Sequence, residues 1–159
     1  MPDLTDARDT TNGLIRSYQH PSSELTLNLF SKPAFVEATY RDLTAIDKKE
    51  YMDFLKMTGD FMVEGQTGRL LADFSDLENF PLRLRAIAIN TFKSLISDRL
   101  AFLLVAIIKR KHIVDDYAIE IALEVARPLS KNFLDGQIFT DRKEGLNWLI
   151  EYPVRHHLQ

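Results

Sequence analysis

Cysteine is absent from the 159 residues of this chain. A disulfide framework, a thiolate nucleophile and a cysteine-built zinc site are absent with it. No apolar run approaches the roughly 20 residues of a membrane-spanning helix. The first residues (MPDLTDARDTTNGLIRSYQHPSSE) lack a basic start followed by an apolar core, so they do not read as a secretory signal. The expected location is the cytoplasm. Neither sign of charge dominates: 20 Lys and Arg oppose 23 Asp and Glu, for a net charge of −3, which argues against a broad nucleic-acid-binding surface. The chain also has no Gly-rich phosphate loop and no G-x-S-x-G elbow. The reading is therefore of a protein that is not an enzyme and uses no cofactor and no metal.

What is present belongs to an ordinary globular domain. The apolar fraction is 45% and the charged fraction 27%. At this length one domain can bury roughly two-thirds of the surface its unfolded chain exposes. We read residues 1–22 as a flexible polar lead, 23–152 as a single domain and 153–159 as a tail.

The stretch from Arg69 to Ile108 organises the rest. Leu100–Ile108 (LAFLLVAII) is apolar without a break, as expected of an inner strand covered on both faces. Leu70–Phe74 predicts a shorter strand that leaves through Asp73-Phe74-Ser75-Asp76. Between them Pro81 suits the first turn of a helix, with Asn79 as its N-cap. From Leu84, residues Ala88, Phe92, Leu95 and Ile96 recur at helical spacing. Strand, helix, strand is a crossover unit that joins parallel strands.

Around that unit the pattern continues. Glu24–Phe30 (ELTLNLF) alternates strictly, and Ala34–Tyr40 (AFVEATY) is rich in aromatic and β-branched residues. The short link Ser31-Lys32-Pro33 makes these two strands an antiparallel hairpin. Asp47 and Glu50 have capping-box spacing at the start of a helix that closes at Gly65–Gly68. A further helix from Asp115 or Asp116 to Pro128 is expected, then a strand over Phe133–Phe139. A second capping box, Asp141 with Glu144, opens the last helix. The order β-β-α-β-α-β-α-β-α gives an α/β fold, a mixed sheet of about five strands with packed helices.

These phrases resemble the SpoIIAA-like group of the STAS superfamily. The stretches that carry the likeness are AFVEATYRDLT, LLADFSDLENFPLRLRA, LAFLLVAI and IFTDRKEGLNWL. The resemblance implies a SpoIIAA-like sheet over about Glu24–Ile150 and a cytoplasmic, bacterial, non-catalytic domain that works by docking on a protein partner or on itself. In the anti-sigma-factor antagonists of that group an Asp-Ser-Ser-Gly-type phosphoacceptor precedes the helix. Here Phe80-Pro81-Leu82-Arg83 stands in its place, without a hydroxyl. Ser75 would be a displaced acceptor, and hydrogen bonding to its own loop is the simpler role. The resemblance of related proteins to the CRAL-TRIO fold implies an alternative, a carrier or sensor of a small apolar, lipid-like ligand.

Asp73, Ser75, Asp76, Glu78 and Asn79 gather beyond the C-terminal end of a parallel strand, where open α/β sheets bind ligands. With Arg83 and Arg85 of the next helix they form the candidate partner- or ligand-binding surface. Solvated, helix-capping roles are the plain alternative for the acids. Lys109-Arg110-Lys111-His112 reads as a charged strand exit, and His156-His157 as part of an exposed tail. Phe35, Tyr40, Phe54, Phe61, Phe80, Phe92 and Phe102 read as core, or as the wall of an apolar pocket. A sheet edge or an apolar helix face would supply a homodimer contact.

Overall fold

A computed structural model describes residues 13–110 and 132–154, leaving aside the side chains at 89, 90, 92, 93 and 97. Six strands lie in the sheet in the order in which the chain makes them: β1 (Leu14–Gln19), β2 (Leu25–Ser31), β3 (Ala34–Tyr40), β4 (Arg69–Phe74), β5 (Leu103–Lys109) and β6 (Phe133–Phe139). The pairs β1–β2 and β2–β3 are antiparallel, and β3–β4, β4–β5 and β5–β6 are parallel. Helix α1 (Lys48–Glu64) joins β3 to β4, α2 (Leu82–Leu95) follows β4, and α3 (Arg142–Glu151) follows β6. The mixed α/β sheet expected from the sequence is present, with one strand more than expected. The helix read over Asp115–Pro128, the Lys111-His112 pair and the terminal histidines lie outside the described residues.

The added strand lies in the stretch read as a flexible lead. Residues read as part of a flexible lead, Leu14–Gln19, pair with β2 in register Tyr18↔Leu27 and Arg16↔Leu29, with a bulge at Ile15. The strand hides from pattern analysis because it is an edge. Five of its six residues are exposed, so no burial imposes an alternation on LIRSYQ. Arg16 lies over the Phe61 ring, 4.6 Å from its centroid, and its Nη1 reaches Glu64 Oε1 at 2.5 Å. Both partners belong to α1.

The uninterrupted apolar stretch before Lys109 explains the layering. Leu103–Ile108 are all buried, because alternate residues point into two different cores. Leu103, Val105 and Ile107 face α1 and α2, together with Leu25, Leu27 and Leu29 of β2 and Tyr51, Phe54, Leu55, Phe61 and Met62 of α1. Leu104, Ala106 and Ile108 face α3, which supplies Leu146 and Leu149. The helices on the first face come very close: a methyl group on Gly59 of α1 would sit 2.3 Å from the Leu95 carbonyl oxygen of α2. Only a residue without a side chain lets the two backbones meet there.

Caps set the helix ends. Asp47 and Glu50 form the expected capping box, Asp47 Oδ1 accepting from the Glu50 N–H at 2.7 Å and Glu50 Oε1 from the Asp47 N–H at 3.1 Å. Asp141 caps α3 differently from expectation. Its carboxylate accepts from the Lys143 N–H at 3.0 Å, and the helix begins without a box. The reading of Asn79 as the cap of α2 is also corrected. The carbonyl of Pro81 accepts the first bonds, from the N–H groups of Leu84 and Arg85, so Pro81 rather than Asn79 stands at the helix start.

Two arginines fasten α3 to the sheet. At its N-terminus Arg142 makes a forked contact with Glu37 Oε2 of β3, at 2.9 and 2.7 Å. At its C-terminus Arg69 of β4 donates to the carbonyls of Leu149 and Tyr152, at 2.9 and 3.2 Å. A cation at the carbonyl end of a helix also offsets the helix dipole. Partial burial pushes the Arg69 guanidinium below its ordinary range.

On the first face Phe54, Tyr40, Phe74 and Phe80 form a continuous ladder. Tyr40 stacks on Phe74 at 4.5 Å between centroids, Phe54 meets Tyr40 edge-on at 5.6 Å, and Phe80 lies 6.2 Å from Phe74. Tyr51 packs edge-on against Phe80 at 6.0 Å. Burial raises the pKa of both Tyr40 and Tyr51, and for Tyr51 the proximity of Tyr40 adds to the effect. Linkage gives the sign of the effect on stability. Above the ordinary tyrosine value of about 10 the unfolded chain loses these protons while the native state keeps them, so stability falls as pH rises. We expect alkaline denaturation in which phenolate absorbance from these two rings appears together with loss of helix signal. Phenolate forming while the far-UV spectrum stays native would overturn that expectation. Tyr40→Phe should move the alkaline midpoint upward.

Candidate functional site

The loops that leave β3 and β4 are built on the same short pattern, an aspartate followed two residues later by a hydroxyl residue. After β3 it is Asp42-Leu43-Thr44, and after β4 it is Asp73-Phe74-Ser75. In the first, Asp42 Oδ1 accepts from the Thr44 N–H at 3.0 Å and its hydroxyl at 2.7 Å. In the second, Asp73 Oδ1 accepts from the Ser75 N–H at 2.9 Å and its hydroxyl at 2.6 Å. Each aspartate closes its own turn, which is the local chemistry that favours these residues where a strand gives way to a loop.

The two loops are then tied to each other. Asp42 and Asn79 form a bridge of parallel backbone, the Leu43 N–H donates to the Asn79 carbonyl at 3.1 Å, and the Glu78 N–H to the Arg41 carbonyl at 3.0 Å. The Asn79 amide adds a longer contact of 3.4 Å to Asp42 Oδ1. Arg83 of α2 reaches back to the carbonyls of Thr44 and Ile46, both at 2.8 Å. Arg85 donates to the Phe80 carbonyl at 2.6 Å. Arg110, just beyond β5, donates to the Leu77 carbonyl. The hydrogen bonds from Thr44, side chain before backbone, hold the Asp42 carboxyl below its ordinary value.

Most of the residues singled out in the sequence are engaged in holding these loops, in separate sets of contacts. Asp73 and Ser75 are joined to one another, Asn79 to Asp42, and the two arginines to loop carbonyls. Asp76 and Glu78 are exposed on the rim. Leu82, the first residue of α2, is 77% exposed, the most exposed large apolar side chain among the described residues. Asp42, Thr44 and Arg110 also belong to these contacts, though the sequence pattern did not single them out. The Asp-x-Thr spacing could have flagged the first two, whereas the reach of Arg110 to a loop 33 residues away has no local signal. No group of three or more His, Asp or Glu among the described residues is placed to hold a metal ion.

No protein-family model matches the chain, and no curated protein matches it. A fold likeness does exist. An uncharacterised protein of the DUF3478 family from Shewanella loihica PV-4, described as having a SpoIIAA-like fold, superimposes with a TM-score of 0.49 and 14% identity. The match covers 79% of this chain and 91% of that one. At that identity and score the likeness says nothing about what this chain does.

A second polar cluster sits in the turn between β1 and β2. His20 Nδ1 lies 2.8 Å from Ser22 Oγ, and His20 Nε2 lies 2.7 Å from Glu50 Oε2 on α1. In sequence these residues served as loop breakers and as half of a capping box. Their meeting depends on the packing of α1 against the hairpin. Finally, no helix among the described residues is long and apolar enough to cross a membrane.

Proposed function

We propose that this chain is a non-catalytic interaction domain that docks a protein partner on the rim formed by the loops after β3 and β4. The observation that carries the reading is the cross-loop lock together with an exposed Leu82 at the start of α2. Polar side chains of the cluster are spent on holding backbone, which supports a surface already shaped before a partner arrives. The Ser75 hydroxyl donates to Asp73 at 2.6 Å, which supports a loop-closing role for it. Leu82 is exposed at the start of α2 and Asp76 and Glu78 are exposed in the loop before it, so the fitting partner presents an apolar pocket together with lysine or arginine.

The test compares crosslinked partner capture by the wild-type chain, by Leu82→Asp, by the charge reversal Asp76→Lys with Glu78→Lys, and by Lys143→Ala on α3 as a control on the other face of the sheet. A defined partner kept by the control and lost by both rim variants supports the reading. A dimer in native mass spectrometry that Leu82→Asp dissociates supports it with a second copy as partner. Binding indifferent to both rim variants overturns it. So does a small-molecule mass that leaves on denaturation without any partner, since that outcome belongs to a carrier of an apolar ligand.

A further inference from the structure

The hydrogen bonds at His20 fix its tautomer. The backbone N–H of Ser22 points at His20 Nδ1 from 3.1 Å, and a backbone N–H can only donate. In the neutral ring Nδ1 is therefore the acceptor, the ring proton is on Nε2, and that proton is donated to Glu50 Oε2 at 2.7 Å. The Ser22 hydroxyl, 2.8 Å from the same Nδ1, shares that nitrogen's single lone pair with the backbone N–H. Glu50 is held in turn, because its other oxygen accepts the Asp47 N–H in the capping box. A hydroxyl, an imidazole and a carboxylate that orients the ring stand in line within hydrogen-bond reach. The hydroxyl is at the surface, since Ser22 is exposed, whereas the His20 side chain retains only 13% of its exposure.

From this geometry we infer that Ser22 is an activated hydroxyl that accepts an acyl group from an activated ester or thioester. In that step Ser22 Oγ bonds to the carbonyl carbon, and its proton passes to His20 Nδ1. The bond from carbon to the alkoxide or thiolate leaving group breaks, and the imidazolium returns the proton to that leaving group. Glu50 is a positioning residue that stabilises the imidazolium. Backbone donors in the turn are already committed. The Ser23 N–H is taken by the His20 carbonyl, the Glu24 N–H by Ser22 Oγ and the Ser22 N–H by the ring. With those donors engaged, the turn offers no pair of free N–H groups for an oxyanion. Stoichiometric modification of Ser22 by an already activated donor is the chemistry that fits, and it stands independently of the docking surface.

The experiment uses the full chain with p-nitrophenyl acetate, and peptide mass spectrometry locates and times the acetyl group. The expected result is acetylation of Ser22 well ahead of its exposed neighbour Ser23, abolished at that site in Ser22→Ala. His20→Gln should slow it by at least about tenfold, the low end of what a placed base contributes falling near a hundredfold. The pH dependence of the wild-type labelling rate should change in His20→Gln. Glu50→Gln keeps an amide able to serve the capping box, so slowed labelling with native circular dichroism would show positioning rather than unfolding. Equal labelling of Ser22 and Ser23, or a Ser22 rate and pH profile unchanged in His20→Gln, would overturn the inference.

Discussion

Replacing Glu37 with alanine should destabilise the fold by about 3 kcal/mol, toward the low end for breaking a buried ion pair. Glu37 is 4% exposed and sits on a central strand, where its Oε2 takes both Arg142 bonds. Without it the guanidinium of Arg142 stays largely enclosed by the sheet and the start of α3. Arg142 Nη1 is already buried without a hydrogen-bond partner, so the group has little to fall back on. For a domain of this size the melting temperature should drop by roughly 6–12 °C. The informative control is the double variant Glu37→Leu with Arg142→Met. If the damage comes from an uncompensated charge, the double variant should recover much of the loss. If it is no better than Glu37→Ala, the pair is simply packing volume and the electrostatic account fails. Hydrogen exchange should show the single variant loosening α3 first.

Phe54→Ala should cost about 3–5 kcal/mol, the range for emptying a large aromatic site in a closed core. Phe54 is 2% exposed and holds the edge of Tyr40, whose ring stacks on Phe74. Its removal leaves a void between α1 and the sheet that the backbone cannot close, because α1 is also pinned to α2 at Gly59. Chemical denaturation checks the value. Phe54→Leu should lose far less, and an alanine variant within about 1 kcal/mol of wild type would mean that the site collapses freely. The same experiment bears on the two readings of the aromatic residues. The stacked ladder of Phe54, Tyr40, Phe74 and Phe80 favours core over an open pocket wall.

Much of the architecture was legible because burial writes periodicity into a chain. Leu25, Leu27 and Leu29 alternate because one side of β2 is buried, and Leu103–Ile108 do not alternate because both sides of β5 are. β1 carries no such imprint. The candidate surface was legible only in part, for a different reason. Asp73 and Ser75 form a local turn, which two-residue spacing reveals. The bonds from Arg83 to Thr44 and Ile46 cross nearly 40 residues of sequence, and nothing near Arg83 announces them. Asn79 was misassigned on the same account, since a good N-cap residue close before a helix was used instead to tie two loops. His20, Ser22 and Glu50 each had an adequate local explanation, so their meeting was invisible until α1 was placed.

The six strands occupy the sheet in the order of their synthesis. A chain leaving the ribosome can therefore lay every new strand beside one that is already in place, without reserving a gap for a later arrival. One side of the sheet has a different fate. Leu71, Leu104, Ala106 and Ile108 wait for Leu146 and Leu149 of the last helix, and Glu37 and Arg69 wait with them. Until the ribosome has released α3, these apolar residues lack the two leucines that pack on them. A stop codon just before Arg142 would make that transient condition permanent.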